Sequence, residues 1–268
     1  MLRLASLTAL FFLTSGVYGQ TVADLKTDWS NLNNPNGPWT YREGTNALPA
    51  VTSWQSSLGG WTTAQPGWAR SENGNNRLPF WFQSNGSETF THDWLSGDIV
   101  VHSTDSINGV GNGVANVIWT STSNGFVTIS GNTWLGRDIG RANTWSLWKN
   151  ATQFTSGVVS TGDPFSRANP FLFSNGSGGA SVLLNIPVVP GDTIMYQIAT
   201  NSGAGGDFTG VNMTVTLSAV PEPGTIMLCG AATLFLGYPC YRQWKKMRRR
   251  VSSGPSRFSR LKRLTSRI

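Results

Sequence analysis

Cysteine is missing from nearly the whole chain. Both cysteines, Cys229 and Cys240, lie in one apolar run near the C-terminus, so Gln20 to Val220 carries no thiol. That excludes a cysteine nucleophile, a CxxC metal or redox site and any disulfide framework in the body. A domain of about 200 residues can bury enough core without bridges. Histidine is almost as scarce. His92 and His102 stand ten residues apart in "HDWLSGDIVVH", whereas a zinc enzyme needs three protein ligands, with Asp93 or Asp105 left to complete the set. No G-x-S-x-G is present either. Charge is sparse and segregated. Between Gln20 and Val220 stand 8 basic and 12 acidic residues, a net of −4, while Ile226 to Ile268 holds 11 basic residues and no acidic one. The formal net charge of +7 therefore belongs to the tail. A body without a basic face excludes nucleic acid as a partner.

Apolar residues at three- and four-residue spacing are also lacking, so helices are few. Short alternating stretches take their place. In "VNMTVTLS" Val211, Met213, Val215 and Leu217 share one face; in "DTIMYQIAT" Ile194, Tyr196 and Ile198 do. "DIVVHS", "VANVIWTS", "GFVTISG", "NTWSLWKN" and "SVLLNIPVV" extend the series, punctuated by turns at Asn124-Gly125, Asn175-Gly176 and Pro190-Gly191-Asp192. About eight short strands at this spacing predict an all-β fold, an antiparallel β-sandwich of jelly-roll type. "NPNGPWTYREG" and "GGWTTAQPGWARSENGNNRLPFWF" are less periodic and read as early strands and long loops of the same domain.

Both ends read as targeting segments. Arg3, an apolar stretch from Leu4 to Leu13 and Val17-Tyr18-Gly19 form an export signal over residues 1–19, handled by the Sec export machinery. Residues 20–219 are then the extracytoplasmic domain. Ile226 to Tyr241 is 16 residues without charge, a transmembrane helix about 24 Å long whose flanking basic stems can snorkel. Arg242, Lys245, Lys246, Arg248, Arg249 and Arg250 follow it, so residues 242–268 stay cytoplasmic by the positive-inside rule and the body lies outside. Pro221-Glu222-Pro223, within the linker 220–225, is held extended by its two prolines.

This order of Pro-Glu-Pro, apolar span and basic cluster resembles the PEP-CTERM sorting signal. The resemblance implies that an exosortase-type membrane transpeptidase recognises Pro221, Glu222 and Pro223 and removes or exchanges the anchor after export. The protein would then reach the cell surface or the extracellular space, in bacteria that make extracellular polysaccharide. Such signals usually end soon after the arginines; here "VSSGPSRFSRLKRLTSRI" continues for 18 residues as a basic, Ser-rich extension suited to anionic lipid. The body is similar to the jelly-roll, carbohydrate-binding-like modules of these proteins. Trp119 sits in the strand before an Asn-Gly turn, Gly191-Asp192 opens a strand, and the loop after it ends at Asp207.

Of the 12 tryptophans, 11 lie in the body. Trp61, Trp68 and Trp81, in Gly/Asn-rich surroundings, are the candidate ligand contacts, because an indole face stacks on a sugar ring. Trp119 reads as core. Glu43, Glu72 and Glu88 are the body's glutamates, and 12 acids leave a hydrolase pair open. "DSINGVGNG" (105–113) and "GAGGDF" (203–208) are oxygen-rich loops compatible with Ca²⁺ or with turns alone; no other cofactor and no metal ligand set is indicated. Three classes follow: a non-catalytic module associating with extracellular polysaccharide, a structural surface or biofilm-matrix protein without a ligand, and, third, a glycoside hydrolase.

Overall fold

Alternation of apolar and polar residues becomes a set of strands in the computed structural model, which describes residues 20–55, 60–105, 113–201 and 205–220. The expected signal peptide, Pro-Glu-Pro motif, apolar span and basic cluster lie outside the described residues. In chain order the strands are β1 (Gln20–Asp24), β2 (Trp39–Glu43), β3 (Asn46–Ala47), β4 (Ala50–Val51), β5 (Gly67–Trp68), β6 (Phe80–Gln83), β7 (Ile99–His102), β8 (Ala115–Thr120), β9 (Gly125–Leu135), β10 (Ala142–Lys149), β11 (Thr152–Ser160), β12 (Phe171–Leu172), β13 (Ile186–Val188), β14 (Thr193–Thr200) and β15 (Phe208–Ala219). Among the described residues the helical content is three 3₁₀ turns, at Gly74–Asn76, Phe173–Asn175 and Ala180–Leu183. Among the described residues no helix is long and apolar enough to cross a membrane.

All strand pairs are antiparallel and form two sheets. The larger runs β12-β9-β15-β7-β6-β5-β4, with β1 beside β15 and β13 beside β9; the smaller runs β11-β10-β14-β8-β2-β3. The chain passes from β7 to β8, β9 and β10 by changing sheet each time, and returns by β14 and β15 to the centres of the two sheets. This is the strand order of a jelly roll. Strands of the first third, β1 to β6, extend both sheets, so that region belongs to the same domain. The strand count exceeds the expected eight because the first third adds six strands, β1 to β6, and because β3, β4, β5 and β12 are pieces of only two residues. "SVLLNIPVV" is a correction: it is a 3₁₀ turn followed by the short β13, because Asn185 takes a left-handed φ of 53° and breaks the extended run.

The main core lies between the sheets. Val211, Met213, Val215 and Leu217 face inward from β15, and Ile194, Tyr196 and Ile198 meet them from β14. Trp119 is 3% exposed, in the core as expected. Tyr196 sits edge-on to Trp81, and its hydroxyl lies 2.9 Å from Thr133 Oγ1 of the opposite sheet. Its burial raises the phenol pKa despite that hydrogen bond.

A second core, which the alternating pattern does not announce, covers half of the larger sheet's outer face. Phe80 and Phe82 of β6, Val100 of β7, Trp134 of β9 and Phe208 of β15 point away from the first core. Loop residues Trp54 and Trp94 close over them, with Trp61 and Phe90 at the margin. Phe80 stacks on Trp54 at 4.3 Å and on Phe82 at 4.8 Å. Gly210 is the clearance for Trp134: a Cβ there would lie 2.1 Å from the indole ring.

Candidate functional site

The outer face of the smaller sheet is partly exposed over β11, β10 and β14 and buried toward β8 and β2, where Asn116 (2% exposed), Ile118 (8%) and Thr40 (8%) are covered. It is built from the residues that alternate with the core-facing set. On β10, Trp145 and Leu147 are fully buried, so Thr144, Ser146 and Trp148 project the other way. The register aligns neighbours across the sheet. Ser156, Ser146, Gln197, Asn116 and Arg42 form one row over β11, β10, β14, β8 and β2. Gln153, Trp148, Met195, Ile118 and Thr40 form the next. Strand spacing of about 4.8 Å makes each row roughly 19 Å long.

The polar row is cross-linked. Gln197 Nε2 donates to Asn116 Oδ1 at 3.1 Å, and Asn116 Nδ2 donates to the Gly44 carbonyl at 2.8 Å. The half-buried Trp148 donates from Nε1 to Ser146 Oγ at 2.8 Å, which ties the indole to the strand surface. The six strands of this sheet contain one carboxylate, Glu43. It points inward, 2% exposed, and is paired with Arg70 at 3.0 Å. The partly exposed portion therefore offers one fixed indole, apolar Met195, the amide of Gln197 and the hydroxyls of Thr144 and Ser156, while Ser146, Asn116 and Ile118 are buried. Such a surface suits a neutral or acidic polyhydroxylated ligand, which needs stacking and hydrogen bonds together.

Trp148 was absent from the candidates read from sequence, although its signal is present in "NTWSLWKN": it is out of phase with Trp145 and Leu147 and must leave the core they enter. The three tryptophans that were singled out lie elsewhere. Trp68 (2% exposed) and Trp81 (0%) are directly opposed on β5 and β6 and face the main core. Trp68 stacks parallel to Tyr41 with centroids 6.2 Å apart, and its Nε1 donates to the Ser30 carbonyl. Neither has a face free for a sugar. The Gly/Asn-rich segments that suggested exposure are the loops around them. Trp61 is half-buried and packs edge-on against Trp54, Phe82 and Phe90 of the second core, away from the open face.

The glutamates are engaged in holding loops. Glu72 accepts from the Thr52 and Ser53 amides and from Thr52 Oγ1; Glu88 accepts from Ser84 Oγ at 2.6 Å and Trp94 Nε1 at 2.9 Å. His92 stacks on Trp94 at 4.3 Å, while His102 lies buried against Phe208 with Nδ1 2.7 Å from the Ser103 carbonyl. Among the described residues no three His, Cys, Asp or Glu side chains converge as a metal site. Residues 106–112 and 202–204 of the two oxygen-rich loops lie outside the described residues; at their described ends Arg141 bonds Asp105 at 3.2 Å and also the Gly206 carbonyl, so a guanidinium supplies positive charge there. Asp207, beside it, is fully buried with Oδ2 unpartnered. Burial pushes its carboxyl up to about 7, against the Phe208 amide, Arg137 and Arg141, which pull it down.

No family model matches the chain, and no curated protein matches it. Among solved structures it is similar to the xylan-binding module CBM15, with 8% identity, coverage of 76% of this chain and 100% of that one, and a TM-score of 0.32. A likeness of that degree assigns neither ligand nor site. The protein is an all-β antiparallel sandwich whose smaller sheet carries the half-buried Trp148 on its outer face.

Proposed function

We propose that this is an exported, non-catalytic module that associates with extracellular polysaccharide through the partly exposed outer face of β11, β10 and β14, around Trp148. The observation carrying this reading is Trp148, fixed by Ser146 in a face of amides, hydroxyls and apolar side chains without a carboxylate. Export, and release by an exosortase-type transpeptidase at Pro221-Glu222-Pro223, rest on the sequence signals at the two ends. The glutamates' structural hydrogen bonds weigh against the hydrolase alternative, since a general acid must be free to transfer its proton to a substrate.

The test is a panel of soluble polysaccharides offered to the full-length chain in mild detergent, with Trp148→Ala alongside. Loss of one stacking ring should weaken binding about tenfold, by analogy with base–aromatic stacking, while the melting temperature stays nearly constant. Equal binding by both proteins would remove this face from the site; release of reducing sugar would overturn the non-catalytic reading. Mapping both mature termini in a host with the sorting machinery, with Glu222→Ala as the blocked control, tests the export half.

A further inference from the structure

The loops bearing Trp54 and Trp94 roof only one end of the larger sheet's outer face. At the other end β9, β15 and β1 lie side by side, and none of their outward side chains is buried. Strand phase sets what projects there. Val127 and Ile129 turn into the core, so Phe126, Thr128, Ser130 and Asn132 point out from β9, and Phe126 is 45% exposed. On β15, Met213, Val215 and Leu217 turn in and leave Asn212, Thr214 and Thr216 outside. Val22 of β1, 58% exposed, continues the row of Thr128 and Thr216.

This surface repeats the chemistry found around Trp148: an aromatic ring beside hydroxyls and amides, with no free charge. Asp24 is the one charged side chain on it, and its oxygens accept from the Lys26 and Thr27 amides and from Thr214 Oγ1. Asn212 Nδ2 donates to Asn132 Oδ1 at 3.0 Å, which leaves Asn132 Nδ2 and Asn212 Oδ1 without a protein partner among the described residues. A donor and an acceptor side by side suit sugar hydroxyls, which both give and take hydrogen bonds. Phe126 and Asn132 stand about 20 Å apart along β9, so a ligand touching both must be a chain of several rings. Three strands over that length make a patch of roughly 200 Å² in plan. A stable interface with a second protein needs about 800 Å² per partner, so the patch fits a narrow linear ligand better.

The Trp148 face and the Phe126 face point in opposite directions, with the two sheets, about 10 Å apart, between them. One extended chain cannot lie on both. We propose that the module is bivalent: Phe126 and the Thr/Asn ladder beside it take a second polysaccharide chain, so that one protein molecule bridges two chains. This rests on the polysaccharide reading of the Trp148 face and adds cross-linking to it. The Phe126 face is the weaker of the two, because a phenyl ring offers less stacking area than an indole.

The test fixes dextran, soluble β-glucan, alginate or polygalacturonate to a sensor surface and loads it with the full-length chain in mild detergent. The same polysaccharide in fluorescent form is then offered from solution. Wild type, Phe126→Ala, Thr216→Arg and Trp148→Ala are measured, with melting temperature as the folding control. Wild type should load on at least one surface and capture the labelled chain. Phe126→Ala and Thr216→Arg should load within about threefold of wild type through the Trp148 face, while capture falls at least about tenfold. Trp148→Ala should lose about tenfold in loading and its capture as well. Wild type that loads but captures nothing overturns the inference and leaves the polysaccharide reading intact. So does capture that survives Phe126→Ala and Thr216→Arg, which is the result several copies sharing one micelle would give. No loading on any surface overturns both.

Discussion

The two sheets carry very different outer faces, and the difference separates aromatic residues that hold the fold from one available to a partner. On the larger sheet, Phe80, Phe82, Trp134 and Phe208 point outward and are immediately roofed by Trp54 and Trp94. On the smaller sheet Trp148 points outward and stays half-buried, while Ile118 and Asn116 on the outer face of β8 are buried. A strand with both faces apolar, such as Phe80-Trp81-Phe82, announces that something covers each face. A strand such as Thr144-Trp145-Ser146-Leu147-Trp148, in which a single indole breaks an otherwise polar outer face, announces a surface with one sticky point.

The comparison breaks most visibly at Trp81 and Trp148. Trp81 is fully buried, edge-on to Tyr196 and tilted against Tyr41. Trp81→Ala should cost about 3–5 kcal/mol of stability through lost burial and the cavity left behind. Trp148→Ala should cost less than about 1 kcal/mol and spend its effect on ligand binding instead. Chemical denaturation of the two variants checks this. Similar losses in both would mean that Trp148 acts as a core residue and not as a ligand contact.

The fold was legible where one face of a strand is wet. Val211 to Leu217 and Ile194 to Ile198 alternate because the main core lies on one side and water or small polar neighbours on the other. Legibility failed where a second layer intervened. Trp68 and Trp81 looked exposed because Gly and Asn surround them in sequence, yet those neighbours form the loops that pass around the core. The partners that bury Trp81, Tyr41 and Tyr196, are 40 and 115 residues away in the chain. No local window can report contacts at that distance. Trp148, by contrast, could have been found from phase alone.

The covered face also holds the buried titrating groups, and these give a pH test of moderate size. Burial drives the His102 pKa down to about 4, below the 6.5 of an exposed imidazole, with the Ser103 carbonyl pulling the other way. The unfolded chain then binds the extra proton between about pH 4 and 6.5, so this group's stability is lost as pH falls through that window. Asp207 is raised from 3.8 to about 7. Here the folded chain holds the extra proton, so its contribution is full below about pH 4 and is lost as pH rises to 7. Each amounts to about 1.4 kcal/mol per pH unit inside its window. The opposed slopes should leave the wild type nearly level from pH 4 to 6.5. Asp207→Asn should expose a rise in stability with pH across that range, and His102→Gln a fall. Denaturation midpoints over the range decide it; parallel curves for all three proteins would show that neither group is held as the geometry implies.

The smallest expected effect tests the smaller sheet's outer face at its far edge. Val158 is 40% exposed and lies opposite Thr144, one row beyond Ser146 and Ser156. Val158→Glu changes no buried contact, so its stability should stay within about 0.5 kcal/mol of wild type. It places a carboxylate one strand and four residues from Trp148, about 14 Å away by strand spacing and rise. A neutral polysaccharide stacked on Trp148 should not sense a charge at that distance, and its binding should stay within about twofold of wild type. A tenfold loss at Val158→Glu would instead place the ligand along β11, away from Trp148.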